Sequence, residues 1–340
     1  MLFLGAAFGG TMLVHVLDVG QGDSILIETP DGDIILIDAG TAGAQVYDQL
    51  DRLGVEELDL VITTHPHADH MGGMRQVLQR YPVELYLDSG MEHTTKSYKS
   101  LMGMVAKEEV NHRPARKGDT FEFDDGIVVT VLWPGPSYIR STRSDLNSNS
   151  VVVRVDHFDN CFLFTGDAEE PTERALMSAG LETCEVLKVA HHGSNHSTST
   201  SFLRAVDPDI ALISAGQDNR YGHPGEETLQ RLQSQDVVIY RTDDSGHLTV
   251  ASTRRGVQVL DGLPWTDGRG PTVPDSGDSG HSGHSGHSGH SGDTDHSHGG
   301  QSRPAAVDTG EVPDLSGVRG TSPEMDAEPQ RRGCLWFRRR

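Results

Sequence analysis

Long apolar runs are missing from this 340-residue chain. No stretch reaches the roughly 18 consecutive apolar residues that cross a bilayer, so a soluble chain is expected. Cysteine is scarce: Cys161, Cys184 and Cys334 are the only three, and their spacing resembles neither a zinc ribbon nor a disulfide framework. Positive charge is also in short supply, with 28 Lys and Arg against 50 Asp and Glu and a formal net charge of −22. Residues 267–340 hold 11 acidic and 8 basic residues, which leaves 39 against 20 in the first 266. Such a surface repels polyanions unless metals or a local basic patch intervene, and it reads first as an adaptation for solubility or high salt. There is no Gly-X-Ser-X-Gly elbow for a Ser-His-Asp hydrolase. No Gly-rich phosphate loop follows the first strand either, since GQGD is too short for the standard fingerprints; this argues against a doubly wound nucleotide-binding sheet.

What is present divides into three parts. Residues 1–11, opening MLFLGAAFGG, are apolar but short; without a preceding basic residue or a cleavage-like stretch, they read as a lead-in to the first strand or as the remnant of a longer start. Both a cytoplasmic and an exported location stay open. Residues 12–266 form the expected folding unit. Residues 267–340 are low in complexity, with the repeat HSGHSGHSGHSG among Pro, Gly and Asp, and are expected to be disordered.

Within the folding unit, MLVHVLDVG, SILIET and IILIDAG read as strands, with the turn PDGD between the last two. Helical spacing over 43–53 precedes the strand LDLVITT and the loop HPHADHMGG. Helices near 73–80 and 95–110 flank the strand VELYLD. Strands near 127–133, 150–156 and 160–165 lead into GDAEE and a helix, then VLKVA into HHGS, then IALIS into an Asn/Gly-rich loop. Ser194, Ser197 and Thr198 are candidate caps for a helix near Thr200. Two strand-rich halves punctuated by helices suit an α/β (α+β) architecture of two mixed sheets packed face to face with helices outside.

Ligand-type side chains recur just past strand ends. In HPHADH, three imidazoles and a carboxylate fall within six residues, denser than a structural role requires. Neutral His and ionised Asp suit zinc or manganese, and the alternate spacing lets His65 and His67 serve one metal while Asp69 and His70 face a second.

THPHADHMGG resembles the His-X-His-X-Asp-His motif of the metallo-β-lactamase superfamily. With LDVGQGDSILIETPDGDIILIDAG, LFTGDAEE, LKVAHHGSNHSTS and NRYGHP in order, residues 12–260 resemble the hydrolase domain of ComEC-type competence proteins. The resemblance implies a four-layer αββα sandwich holding two divalent metal ions, Zn or Mn, and a metal-activated water as nucleophile. It further implies that Asp167 bridges the metals and that His191 completes the second site, with His192 competing for that place or acting in catalysis. Asp69 is expected to position the nucleophile as well as bind metal, Asp38 to orient a ligand histidine, and His223 to contact a phosphate or protonate the leaving group.

One departure stands out. Many superfamily members supply another metal-binding histidine between HPHADH and Asp167, where this chain has SDLNSNS and only His157, inside a strand-like stretch. Asn147, Asn149 and Ser150 are therefore candidates to approach the first metal or the substrate, and an amide oxygen makes that site weaker or more manganese-preferring. The resemblance implies phosphodiester hydrolysis with single-stranded DNA as substrate. Small phosphoester or phosphocholine-type ester hydrolysis is the alternative. A basic stretch, Lys96, Lys99, Lys107, Arg113, Arg116 and Lys117, is either a polymer track or a solvated face. A third reading makes the chain a non-enzymatic metal-binding or membrane-docking protein. Its tail carries six histidines and ends RRGCLWFRRR, which suits an anionic membrane surface.

Overall fold

Side chains that alternate across a strand build two sheets whose inner faces meet. The computed structural model describes residues 10–261 and the two-residue strand β16 (Leu335–Trp336). The first sheet contains β1 (Met12–Val16), β2 (Ile25–Glu28), β3 (Ile34–Ile37), β4 (Leu58–Thr63), β5 (Val83–Asp88), β6 (His112–Pro114), β14 (Leu248–Thr253) and β15 (Gly256–Asp261), in the order β15-β14-β1-β2-β3-β4-β5-β6. The second contains β7 (Thr120–Phe123), β8 (Ile127–Trp133), β9 (Val152–His157), β10 (Asn160–Phe164), β11 (Val186–Lys188), β12 (Ile210–Ile213) and β13 (Val238–Arg241), in the order β13-β12-β11-β10-β9-β8-β7-β16.

Both sheets are mixed in the same way. The run β3-β4-β5-β6 is parallel and the rest of its sheet antiparallel; β10-β11-β12-β13 is parallel and continues into antiparallel β9, β8 and β7. Period-two patterning assigns the faces. Ile25, Ile27, Ile35, Ile37, Leu60 and Ile62 point inward against Phe121, Val129, Val153, Phe162 and Phe164 of the other sheet. The intervening Leu26, Leu36 and Val61 point outward, where α1 (Val46–Leu53), α3 (Met74–Arg80) and α4 (Lys96–Lys107) cover them with Leu50, Val77 and Leu101. On the far side α5 (Glu170–Ser178), α6 (Thr200–Val206) and α7 (Glu226–Gln233) pack Leu176, Phe202 and Leu232 onto Leu163, Leu187 and Ala211. The result is the four-layer αββα sandwich.

Several local expectations are revised. Helix α1 begins at Val46 because Gln45 is left-handed, with Ala42–Ala44 forming a separate 3₁₀ turn. Part of the HPHADH loop is one turn of helix, α2 (Ala68–Met71), so Asp69 and His70 are fixed by local backbone bonds. The cap of α6 is Ser199, whose hydroxyl accepts from the Phe202 N–H, rather than Ser194, Ser197 or Thr198. Cys161 and Cys184, whose spacing suggested no framework, form a disulfide joining β10 to the segment before β11; parallel strand pairing brings together residues 23 positions apart in sequence. Among the described residues, no helix is long and apolar enough to cross a membrane. Residues 1–9, the His-Ser-Gly repeat and the side chains of the RRGCLWFRRR ending lie outside the described residues.

The disulfide closes a loop that would stabilise the fold by about 3 kcal/mol. Reducing it, or replacing both cysteines by Ala, is expected to lower the urea unfolding midpoint by a corresponding amount. An unchanged midpoint with both thiols shown free contradicts a structural role for the bond.

Candidate metal centre

The parallel strands of both sheets end at one edge of the sandwich, and the polar residues that follow them converge there. Open sheets place ligands at such carboxyl ends. Strand β3 delivers Asp38, β4 delivers Thr64, His65 and the α2 turn, β10 delivers Asp167, β11 delivers His191 and His192, and β12 delivers Ser214 and the loop to His223. A backbone bond from the Val151 N–H to the Thr64 carbonyl (2.8 Å) links the two sheets at this edge. Gly22 is required here: at φ +150° a Cβ would lie 2.3 Å from the Asp69 carbonyl oxygen.

Asp38 orients the first histidine. It is buried, accepts from the Thr64 N–H and hydroxyl (both 2.7 Å), and sits 2.7 Å from His70 Nδ1. That contact turns His70 Nε2 toward Asp167 Oδ1, 3.1 Å away. His192 is held in the same manner from the opposite sheet. Its Nδ1 lies 3.0 Å from the Ser214 carbonyl oxygen and 3.2 Å from Asp23 Oδ1, and its Nε2 lies 3.6 Å from Asp167 Oδ1 and 3.5 Å from Asp69 Oδ2. Asp23 is fixed in turn by the buried Lys188 ammonium, 2.9 Å from Asp23 Oδ2.

The other oxygen of Asp167 faces a second group. His65 Nε2 is 3.7 Å and His191 Nε2 is 3.6 Å from Asp167 Oδ2, and His65 Nε2 is 2.9 Å from His67 Nδ1. Two sets of donor atoms are thus close enough to hold an ion: Asp23, His70, Asp167 and His192, and His65, His67 and Asp167. Within the first set, Asp23 lies behind His192 on its Nδ1 side, whereas Asp69 reaches its Nε2 side.

The donor chemistry fits divalent metal. His70 Nε2, His192 Nε2 and Asp167 Oδ1 are all buried and face one another within 3.1–3.6 Å without making a well-aligned hydrogen bond, a costly arrangement unless another group satisfies them. The electrostatics show how strongly these groups are coupled, and a metal bound by His70 and His192 would displace the protons that the neighbouring carboxylates otherwise favour there. Burial favours an uncharged Asp167, but His70, His191 and His192 reverse this and hold the carboxyl well below its ordinary range. Burial pulls His70 down, yet Asp167 and Asp38 drive it well above; His192 is pushed up to about 9 against burial by Asp167 and Asp23. His65 and His67 are lowered, chiefly by burial, and stay neutral as ligands must. Asp69 is held low despite burial by its contact with His192 and by His70.

The structure separates the neighbouring histidines, which the sequence left as competing candidates for one place. Both have positive φ (52° and 54°), which turns their side chains apart. His192 is buried in the donor set, while His191 stands at the mouth, its side chain 23% exposed. The SDLNSNS segment also separates. Asn147 approaches the group that contains His65 and His191, with Nδ2 3.4 Å from His191 Nδ1 and from Glu169 Oε1, and with a buried Oδ1 lacking a partner. Asn149 and Ser150 do not reach a ligand position. The Asn149 amide is consumed by the Ile139 and Asp145 backbone, and the Ser150 hydroxyl accepts from the Asp167 N–H (3.3 Å). His157 bonds Ser252 Oγ (2.9 Å) between the two sheets, and Asp38 stands behind His70.

These groups open on a cavity of about 420 Å³ lined by His67, Asp69, Asp167, His191, His192 and His223 among others. His223 has its Nδ1 buried without a partner, and burial with His191 and His192 pushes its pKa down to about 4. A neutral His223 at pH 7 suits hydrogen bonding more than proton delivery. Of the basic stretch, only its start borders the cavity, where Thr95 and Ser97 flank Lys96. Arg113 pairs with Asp119, Lys107 with Glu108, and Arg116 lies against Tyr138. Asp23 and Lys188 escaped sequence reasoning. The Asp within GQGD and the lone Lys inside an apolar strand were the available signals.

Comparison with known proteins follows the same residues. A family model described as "Metallo-beta-lactamase superfamily" matches residues 17–217. The "ComE operon protein 3" of Bacillus subtilis is 31% identical over 268 residues, spanning 72% of this chain and 34% of that protein. "Competence protein ComA" of Neisseria gonorrhoeae is 32% identical over 251 residues, spanning 72% and 33%. The chain therefore spans about a third of the length of these relatives. Among solved structures, the metallo-beta-lactamase fold protein YhfI from Bacillus subtilis aligns with a TM-score of 0.48 at 13% identity, covering 70% of this chain and 99% of that one.

Replacing Lys188 by Met leaves Asp23 buried without its cation and is expected to cost about 3–5 kcal/mol. The partner holds the Asp23 carboxyl low, so this stabilisation is present above the ordinary carboxylate range and fades on acidification. Urea denaturation at neutral pH checks it. Adding Asp23→Asn should recover much of the loss, and a single variant as stable as wild type contradicts the assignment.

Proposed function

The chain belongs to the metallo-β-lactamase superfamily, and from that membership we propose that it is a two-metal phosphodiesterase acting on DNA. The observation that carries this reading is Asp167, whose two oxygens face separate donor sets, one containing His70 and His192 and the other His65 and His191. A carboxylate so placed suits a bridge between two divalent ions. In this reading Asp69, His70, Asp167 and His192 would hold one ion, and His65, His67 and Asp167 would hold the other, with the buried, unpartnered Asn147 Oδ1 as a candidate further ligand. Such ions supply a nucleophile from water at neutral pH and offset the negative charge that develops at phosphorus.

The chain's own residues do the rest. Asp69, ionised at neutral pH and only partly buried, lines the cavity and would orient the attacking water there. Asp38 and Asp23 fix the His70 and His192 rings, as ligand histidines require. His223 and His191 stand at the cavity wall, where a scissile phosphodiester is contacted. The competence protein among the relatives and the motif resemblance support a nucleic-acid substrate. The acidic surface does not oppose it, because bound cations neutralise substrate charge where it matters. A first site of two imidazoles, a carboxylate and an amide oxygen is harder than a three-histidine site, so it is expected to release zinc more readily and to accept manganese.

Hydrolysis of single-stranded DNA and of bis-p-nitrophenyl phosphate with added Mn²⁺ or Zn²⁺ tests the reading. Both substrates should be cleaved, with losses of at least about 100-fold in Asp167→Ala and His67→Ala. Cleavage of the small ester alone favours a small-phosphoester hydrolase, and no cleavage by metal-loaded protein favours a metal-binding protein. Metal content after dialysis should fall from two ions per chain to one in His67→Ala. Zinc retained equally tightly at both sites contradicts the weaker first site.

A further inference from the structure

Four large hydrophobic side chains are exposed among the described residues, Leu53, Tyr221, Val238 and Leu260, and of these only Tyr221 lines the cavity over the metal centre. It is 54% exposed, an arrangement that needs a reason in a loop otherwise tightly organised. Asn219 organises it: its Oδ1 accepts from the Tyr221 and His223 N–H groups (both 3.1 Å), and its Nδ2 donates to the Gly216 carbonyl (2.9 Å) and the His223 carbonyl. The Tyr221 ring lies near-parallel to His223, centroids 5.8 Å apart and planes 24° apart. His223 lies 5.5 Å from His191 and 6.3 Å from His192. A row of rings therefore leads from the metal centre to solvent and ends on an exposed phenol. Arg220 completes the lip, its guanidinium carbon 4.9 Å from the Tyr221 centroid and its Nη2 donating to the phenol oxygen (2.7 Å).

We propose that Tyr221, with Arg220 beside it, is a base-stacking platform that selects single-stranded nucleic acid over a bare phosphodiester chain. This inference rests on the phosphodiesterase reading and adds to it a determinant of substrate class. Proteins that hold single strands combine aromatic faces for the bases with cations for the backbone, and sequence tolerance follows because every base has a π face. Here the two residue types are adjacent in sequence and in space, at the rim of the cavity where the scissile phosphate would lie. Arg220 also supplies positive charge that the cavity lining, built of His, Asp and neutral residues, does not.

The test is fluorescence anisotropy of the metal-loaded full chain with a phosphorothioate oligothymidylate of about ten nucleotides, within the usual site size. An abasic oligomer of the same length and charge is the comparison. Wild type should bind the base-bearing strand at least about five-fold more tightly, the low end of a base–aromatic stack. Tyr221→Ala should remove that preference without weakening abasic binding, and Tyr221→Phe should keep it. Arg220→Ala should lower the dependence of log K on log salt by about 0.7, the value of one phosphate contact on a single strand. Equal wild-type affinity for both oligomers, or equal weakening of both by Tyr221→Ala, overturns the platform. Hydrolysis of unmodified strands measured in parallel separates the two readings: absence of cleavage with base-dependent binding sinks the phosphodiesterase and leaves the platform standing.

Discussion

The position of one carboxylate governs the rest of the structure. Asp167 sits where the two sheets meet, held by β10 and by the Ser150 hydroxyl, and everything that surrounds it would be repelled or stranded without it. Its field raises the proton affinity of His70 and His192 against their burial, while burial lowers that of His65 and His67. Such a concentration of buried ionisable groups is unfavourable for folding alone. It makes sense where divalent cations satisfy the unpaired nitrogens and oxygens, and a fold that carries them this way invests stability in a site.

The support for that site is drawn from both halves of the chain. On one side Thr64 and Asp38 fix His70; on the other Ser214, Asp23 and Lys188 fix His192. The Asp23–Lys188 pair crosses from one sheet to the other and joins residues 165 positions apart. The two sheets are thereby locked at the edge where the ligands emerge. The same geometry would reconcile a strongly acidic chain with the polyanionic substrate proposed for it. Substrate charge would then be countered locally, by cations held in the cavity and by Arg220 at its rim, rather than over the surface.

Much of this was legible in sequence because the relevant signals are short-range. The alternation in SILIET and IILIDAG set strand faces, and the spacing in HPHADH set which histidines could share an ion. Membership of the superfamily followed from the same segments. Choices that depend on dihedral angles were not legible. Whether His191 or His192 turns inward is decided by two successive left-handed residues, and Asn149 was withdrawn from the site by a loop, 139–145, that no pattern announces. Cys161 and Cys184 meet only because β10 and β11 pair in parallel, and Asp23 acquires its role only once Lys188 arrives from a distant strand.

Asp167 as a shared ligand of two ions is the central claim, and electron paramagnetic resonance of the manganese-loaded chain tests it most directly. A carboxylate-bridged pair gives the exchange-coupled spectrum of two Mn²⁺ ions, which reverts to uncoupled ions or is lost in Asp167→Ala. A wild-type spectrum of isolated Mn²⁺ at saturating metal, unchanged by that substitution, would contradict the account.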